Sequence, residues 1–219
     1  MVTVRIWDLP TRLFHWLLAA CVVGLVITGK LGGNAMVWHF RFGQVALTLV
    51  LFRLVWGLVG GHWSRWSQLA LAPGQVLGYL RGRTAHWAGH NPLGSWSVLL
   101  MLGWLLLQAG TGLVSDDEIA NAGPLTALVS GATVSAATAW HKGVGQWVLL
   151  ALVLLHLAAI AWYRLRKAQA LVPAMLHGDK MLPQPVPASR DGAAQRVLAL
   201  LVLLVCAGAV RWLVGLGAP

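Results

Sequence analysis

Residues 141–156 read HKGVGQWVLLALVLLH. Every side chain from Trp147 to Leu155 is hydrophobic, and the apolar run continues to Tyr163. A helix of that length crosses a hydrocarbon layer about 30 Å thick. His156 stands about 22 Å along the axis from His141. Fifteen residues at about 100° each also bring it back to within roughly 60° of the azimuth of His141. One helix thus offers two imidazoles to one interior, at two depths. An ionisable side chain at membrane depth is costly and marks a functional site by default. The alternative is a helix–helix hydrogen bond.

The texture extends to the rest of the chain. Of 219 residues, 58% are hydrophobic and 10% are charged, well below the ~25% charged residues of soluble domains. Five stretches are long and apolar enough to span a bilayer. They run from about Thr11 to Ile27, Phe42 to Val59, Leu93 to Val114, Trp140 to Tyr163 and Val197 to Leu216. The fifth contains Arg211, which can snorkel to an interface. The first follows Asp8 and Pro10 and has no small-residue cleavage site, so it reads as an uncleaved span. The net charge of +10 does not indicate nucleic-acid binding, because the basic residues flank apolar spans instead of clustering on a soluble surface. Cys21 and Cys206 lie inside apolar runs and read as buried thiols, and no CxxCH site for covalent haem is present.

The connections give a sidedness. Residues 61–91 form a Trp-rich polar loop with Arg65, Arg81 and Arg83. Residues 115–139 carry Asp116, Asp117 and Glu118 and no Lys or Arg. Residues 164–196 hold six Lys or Arg and several prolines, and read as an extended surface linker. Under strict alternation the basic segments share one side, which the positive-inside rule makes cytoplasmic. The N-terminus is then cytoplasmic and the acidic connection lies outside. Lys30, Arg41 and Lys142 are minority cations on the outer side, and Trp residues gather at span ends as an interfacial belt.

His62, His86, His90 and His177 fall in loops. His86 and His90 have helical spacing but no further ligands, which is a poor metal site. His15, His39, His141 and His156 lie in or at the ends of spans. By depth, His39 pairs with His141 in the outer leaflet and His15 with His156 in the inner one. Each pair suits the two axial positions of a haem iron, an arrangement that carries electrons and leaves no open coordination site. Arg53, fourteen residues beyond His39, lies near the inner level and is a candidate partner for haem propionates, with snorkelling as the alternative. Arg12 and Lys30 are weaker candidates.

These residues carry a resemblance. WDLPTRLFHW with His15, HFRFG with His39, LFRLVWG with Arg53 and HKGVGQWVLLALVLLH with His141 and His156 resemble bacterial cytochrome b561, in the group that includes the cytochrome b subunits of nickel-iron hydrogenases. GHNPLGSWSVLLML and QAGTGLVSDDEIANAGPL are similar too, and the likeness covers roughly residues 4–185. It implies an all-α integral membrane protein: a four-helix transmembrane bundle holding two non-covalent, bis-histidine b haems. One histidine comes from each of the first two helices and two from the fourth, and the third helix is a non-ligating wall. The domains are then residues 1–167 as the dihaem core, 168–196 as a cytoplasmic linker and 197–219 as a fifth transmembrane helix outside the core.

The resemblance implies an inner-membrane electron carrier between the quinone pool and a periplasmic redox partner, such as a c-type cytochrome or a dehydrogenase subunit. Two other readings stand beside it. One is a superoxide oxidase that passes electrons to quinone. The other is a haem-free transporter whose histidines form a proton path. The acidic cluster at 116–118 favours a basic protein partner over superoxide, itself an anion.

Overall fold

The computed structural model describes residues 1–83, 87–117 and 119–217. Asp8 starts the first long helix: its carboxylate accepts the Thr11 N–H at 2.8 Å, and Pro10 sits in the first turn, where no N–H is needed. This helix, α1 (Leu9–Leu31), closes at Gly32, whose φ of +64° is the left-handed conformation that glycine adopts without strain. A 3-10 turn leads into α2 (Met36–Val59). After two short 3-10 turns come α3 (Pro73–Leu80) and α4 (Pro92–Leu113). Asn91 caps α4 by accepting the Gly94 N–H at 2.8 Å. Then follow α5 (Gly131–Trp140), a π turn (His141–Gly145), α6 (Gln146–Arg166), α7 (Leu171–His177) and α8 (Ala193–Gly215).

Among the described residues, five helical segments are long and apolar enough to cross a membrane: Leu9–Leu31, Gly33–Val59, Pro92–Leu113, Gly131–Arg166 and Ala193–Gly215. The chain is thus an all-α integral membrane protein, as the hydropathy indicates. Leucines and valines along these helices, such as Leu154, Leu155 and Val205, are mostly exposed. That is stable where the surrounding solvent is lipid. The last helix buries one stripe, Ala199, Cys206 and Val210.

The connections differ from the sequence expectation. The loop at 61–91 contains α3, and the acidic connection at 115–139 ends in α5, which is continuous with the fourth span. The stretch expected to be an extended linker contains α7 and a strand. That strand, β2 (Asp179–Leu182), pairs antiparallel with β1 (Val2–Arg5). Val4 and Leu182 of this ribbon pack with Ile6, Trp7 and Ala174 in a small buried cluster, so burial of apolar side chains overrides the linker-like composition.

The chain divides into two compact units. One comprises Met1–Phe14, Arg53–Met101 and Leu154–Leu201. The other comprises His15–Phe52, Leu102–Val153 and the chain from Val202 onward.

Two buried carboxylates organise the first unit. Asp8 is fully buried. Besides Thr11, it accepts the Gly61 N–H at 3.1 Å, the Ser64 hydroxyl at 2.7 Å and the Trp56 indole N–H at 3.3 Å. Gly61 is required because a Cβ there would collide with the carboxylate. Asp191 receives Arg5 at 2.7 Å, Arg196 at 3.3 Å and the Leu9 N–H at 3.1 Å, with Arg12 at 3.8 Å. Arg5 also pairs with Asp179 across the ribbon at 2.6 Å.

Replacing Asp8 with Ala leaves four donors unmet and is expected to cost on the order of 3 kcal/mol or more. A thermal melt followed with a thiol-reactive dye reads this out, since Cys21 and Cys206 are buried. An unchanged melt would contradict the role given to Asp8. For Asp191, burial works to raise the carboxyl pKa, but the Leu9 N–H, Arg196 and Arg5 outweigh it and hold the group below its ordinary value. A depressed folded pKa contributes stability above the unfolded value, about 3.9, and loses it as pH falls toward the folded value. Stability should therefore drop as pH falls below about 4. An Asp191→Asn variant should start roughly 1–3 kcal/mol lower and show a shallower acid loss.

Candidate functional site

Within the second unit the structure brings two of the four span histidines together. His39 lies in the first turn of α2 and His141 opens the π turn. Their ring centroids are 6.2 Å apart, and the ring planes meet at 84°. The Nδ1 of His39 is 3.0 Å from the Leu25 carbonyl of α1. The Nδ1 of His141 is 2.9 Å from the Gln108 carbonyl of α4. A carbonyl can only accept, so Nδ1 carries the proton in both rings and Nε2 keeps its lone pair. Both imidazoles are therefore in the tautomer that a metal bound at Nε2 requires.

The spacing fits one metal between them. With a metal–nitrogen bond of about 2.0 Å and a further ~1.2 Å to each ring centre, two imidazoles on opposite sides of an ion stand roughly 6.4 Å apart. The rings also have space that only glycine leaves. A Cβ on Gly29 would lie 3.1 Å from Cε1 of His39, and one on Gly112 would lie 2.8 Å from Cε1 of His141.

Helix α4 does more than form the wall expected of it. The Gln108 amide donates to the His141 carbonyl at 2.9 Å, and the Trp104 indole donates to the Gly145 carbonyl at 2.8 Å. The π turn is thus held at both ends. Such turns widen a helix locally and occur often at functional sites. Gly143 within it departs from helical dihedrals. Nothing in the sequence pattern of an otherwise apolar helix identified Gln108 and Trp104 beforehand. Gln108, at the head of QAGTG, is a polar residue in an apolar run, but the pattern alone names no partner for it.

Arg53 lies in the first unit and is 3% exposed. Its guanidinium stacks on Trp66 at 4.3 Å, and its Nη1 is buried without a hydrogen-bond partner among the described residues. A buried cation with an open donor suits an anionic group such as a carboxylate. His156 lies half-buried on α6 in the same unit. His15 lies on α1 in the second unit, its ring edge-on to Trp16 at 5.0 Å. Of the weaker candidates, Arg12 donates to the Leu176 carbonyl at 2.6 Å, and the Lys30 ammonium rests over Trp147 at 5.1 Å.

The loop histidines have local roles. His90 packs on Trp7 at 4.7 Å and His62 on Trp63 at 4.9 Å. His86 lies outside the described residues. So does Glu118 of the acidic cluster. Asp117 accepts the N–H groups of Ile119, Ala120 and Asn121 and the Asn121 amide at 2.7 Å. The Asn121 side chain, then these backbone donors, hold its carboxyl well below the usual range.

The comparisons with known proteins give the family. The family model for prokaryotic cytochrome b561 matches residues 6–178. A probable Ni/Fe-hydrogenase B-type cytochrome subunit of Bradyrhizobium diazoefficiens is 23% identical, over 81% of this chain and 86% of its own length. The corresponding probable Ni/Fe-hydrogenase 1 subunit of Escherichia coli K12 is 23% identical, over 81% and 91%, and that of Azotobacter chroococcum is 24% identical, over 84% and 91%. No solved structure matches the chain. With its five apolar helices and a family match that spans most of its length, the chain belongs to the prokaryotic cytochrome b561 family, whose members are multi-pass membrane cytochromes of the b type.

Proposed function

We propose that the chain is a dihaem electron carrier of the cytoplasmic membrane, linking the quinone pool to a redox partner on the periplasmic side. The observation that carries this reading is the His39–His141 pair, 6.2 Å apart, with both Nδ1 atoms engaged by backbone carbonyls. A b haem held by two histidines would supply one-electron transfer and would leave dioxygen no site. His39 and His141 hold the outer haem in this reading. His15 and His156 hold the inner one, an assignment that rests on their depths in the sequence. Arg53 supplies charge to a propionate, supported by its burial and its open Nη1.

The orientation proposed is N-terminus inward. Twelve of the sixteen Lys and Arg fall in the first unit, the one that contains the N-terminal ribbon, and basic segments are retained in the cytoplasm. The names of the relatives favour a dehydrogenase subunit as partner over a freely diffusing cytochrome c. In those proteins the cytochrome is named as part of a hydrogenase.

Pyridine haemochrome analysis of the purified chain is expected to give two b haems per chain, with none retained covalently after acid–acetone extraction. His39→Ala and His141→Ala should each abolish the same spectral component and spare the one lost in His156→Ala. A value of one haem, or loss of different components in the first two variants, contradicts the pairing.

Reporter fusions test the orientation. A fusion after Asn121 should be active only as a periplasmic reporter, and one after Lys180 only as a cytoplasmic reporter. The reverse pattern would overturn the proposed sidedness and the direction of the partner.

A further inference from the structure

The outer pair is received by the same device twice. On α1, the Leu25 carbonyl is 3.0 Å and the Thr28 hydroxyl 3.4 Å from Nδ1 of His39, and Gly29 faces the ring edge. On α4, the Gln108 carbonyl is 2.9 Å and the Thr111 hydroxyl 3.3 Å from Nδ1 of His141, and Gly112 faces the ring edge. In both, the carbonyl comes three residues before the threonine and the glycine one residue after it. Thr-Gly occurs twice in the chain, and both copies sit at these places.

The hydroxyls are oriented. Thr28 donates to the Gly24 carbonyl at 2.6 Å, and Thr111 to the carbonyls of Leu107 and Gln108, each at 3.0 Å. Each hydroxyl hydrogen is committed to its own helix, so a lone pair is left for the Nδ1–H. A back-bonded threonine is common in apolar helices and proves nothing alone; Thr48 bonds to the Gln44 carbonyl in the same way at 2.8 Å. What sets Thr28 and Thr111 apart is that carbonyl, hydroxyl and glycine meet one imidazole on each of two different helices.

We infer that Leu25–Gly29 and Gln108–Gly112 are matched histidine cradles, in which Thr28 and Thr111 are positioning residues that set the tautomer, the ring plane and the donor strength of the two proposed outer ligands. The inference rests on the haem reading of the previous section. The chemistry follows from the shared proton. An Nδ1–H engaged by two acceptors gives the imidazole more imidazolate character, which makes Nε2 a stronger donor and favours the oxidised metal. The glycines let each ring lie close against its cradle helix, and two such helices fix the planes near the perpendicular seen, 84°.

The test uses the haem-loaded full chain in detergent, by redox titration and by the low-spin ferric signal in electron paramagnetic resonance, whose anisotropy reports the angle between the ligand planes. Thr28→Val and Thr111→Val keep the shape and remove the acceptor. Each should lower the oxidised-to-reduced ratio of the outer haem about threefold at fixed potential, where tenfold corresponds to about 59 mV for one electron. Thr28→Ser and Thr111→Ser should restore it. Gly112→Ala should change the signal shape or displace the outer haem. Gly110→Ala, two residues away, meets open space and should be silent. The cradle is overturned if the Val and Ser variants behave alike, or if Gly110→Ala matches Gly112→Ala. A wild-type chain with no low-spin haem signal would sink the haem reading itself, and the cradle with it, so the two failures are told apart by the wild type.

Discussion

Inside a bilayer a polar atom has no water to fall back on, and each unmet donor or acceptor costs several kcal/mol. This constraint accounts for the internal arrangement of the chain. The hydroxyls of Thr28, Thr48 and Thr111 return to carbonyls of their own helices. The indole of Trp104 and the amide of Gln108 reach across to the π turn. Histidines are the most demanding members, because each has two ring nitrogens to satisfy. A neighbouring carbonyl meets one nitrogen of His39 and of His141, and the other is left with a lone pair. The same accounting that keeps the helices intact therefore sets the tautomer of both rings, and stability and ring geometry come from one set of bonds.

The first unit solves a different problem, that of holding together chain segments distant in sequence, many of them outside the apolar spans. Charges are usable there. Asp191 gathers Arg5, Arg12 and Arg196 from two segments, and Lys180 reaches the carbonyls of Trp87 and Ala88 at 2.9 and 3.1 Å. Exposed ion pairs contribute little, but Asp191 is 7% exposed and also takes a backbone N–H. Such a cluster is costly to break because removing one partner strands the rest. Asp8, by contrast, uses neutral donors for most of its bonds. It links the start of α1 to the turn at Gly61–Ser64, which ties WDLP to a segment more than fifty residues away.

Much of this was legible in the sequence. Length and hydropathy gave the five spans, because a 30 Å apolar layer imposes a length on any helix that crosses it. His39 and His141, which their positions in the sequence put at one depth, have ring centroids 6.2 Å apart. Span ends were less legible. The second span begins at Met36 and the fourth at Gly131, beyond the apolar windows, because caps and not hydropathy end a helix. The ribbon was invisible: strands of four residues, separated by more than 170 positions, carry no local pattern that names a partner. The cradles were invisible for a related reason. Thr-Gly in an apolar helix looks like ordinary small-residue packing until the histidine on the next helix is seen.

The acidic loop has a structural role beside its charge. Asp116, Asp117 and Glu118 read as a patch available to a partner. Asp117 instead closes its own turn, accepting three successive backbone N–H groups and a side-chain amide. Asp116 forms an isolated bridge to Ala122, and its N–H is taken by the Thr138 hydroxyl at 2.9 Å. The backbone here joins the end of α4 to α5, the helix that runs directly into His141. The Asp117 carboxylate therefore acts first on the path of the chain toward the proposed ligand. Their net charge still reaches about 8 Å into solution at physiological salt. Any electrostatic steering by Asp117 is thus inseparable from the bonds that hold the loop, and the surface a partner meets is shaped by the same residues that deliver the fourth span to its place.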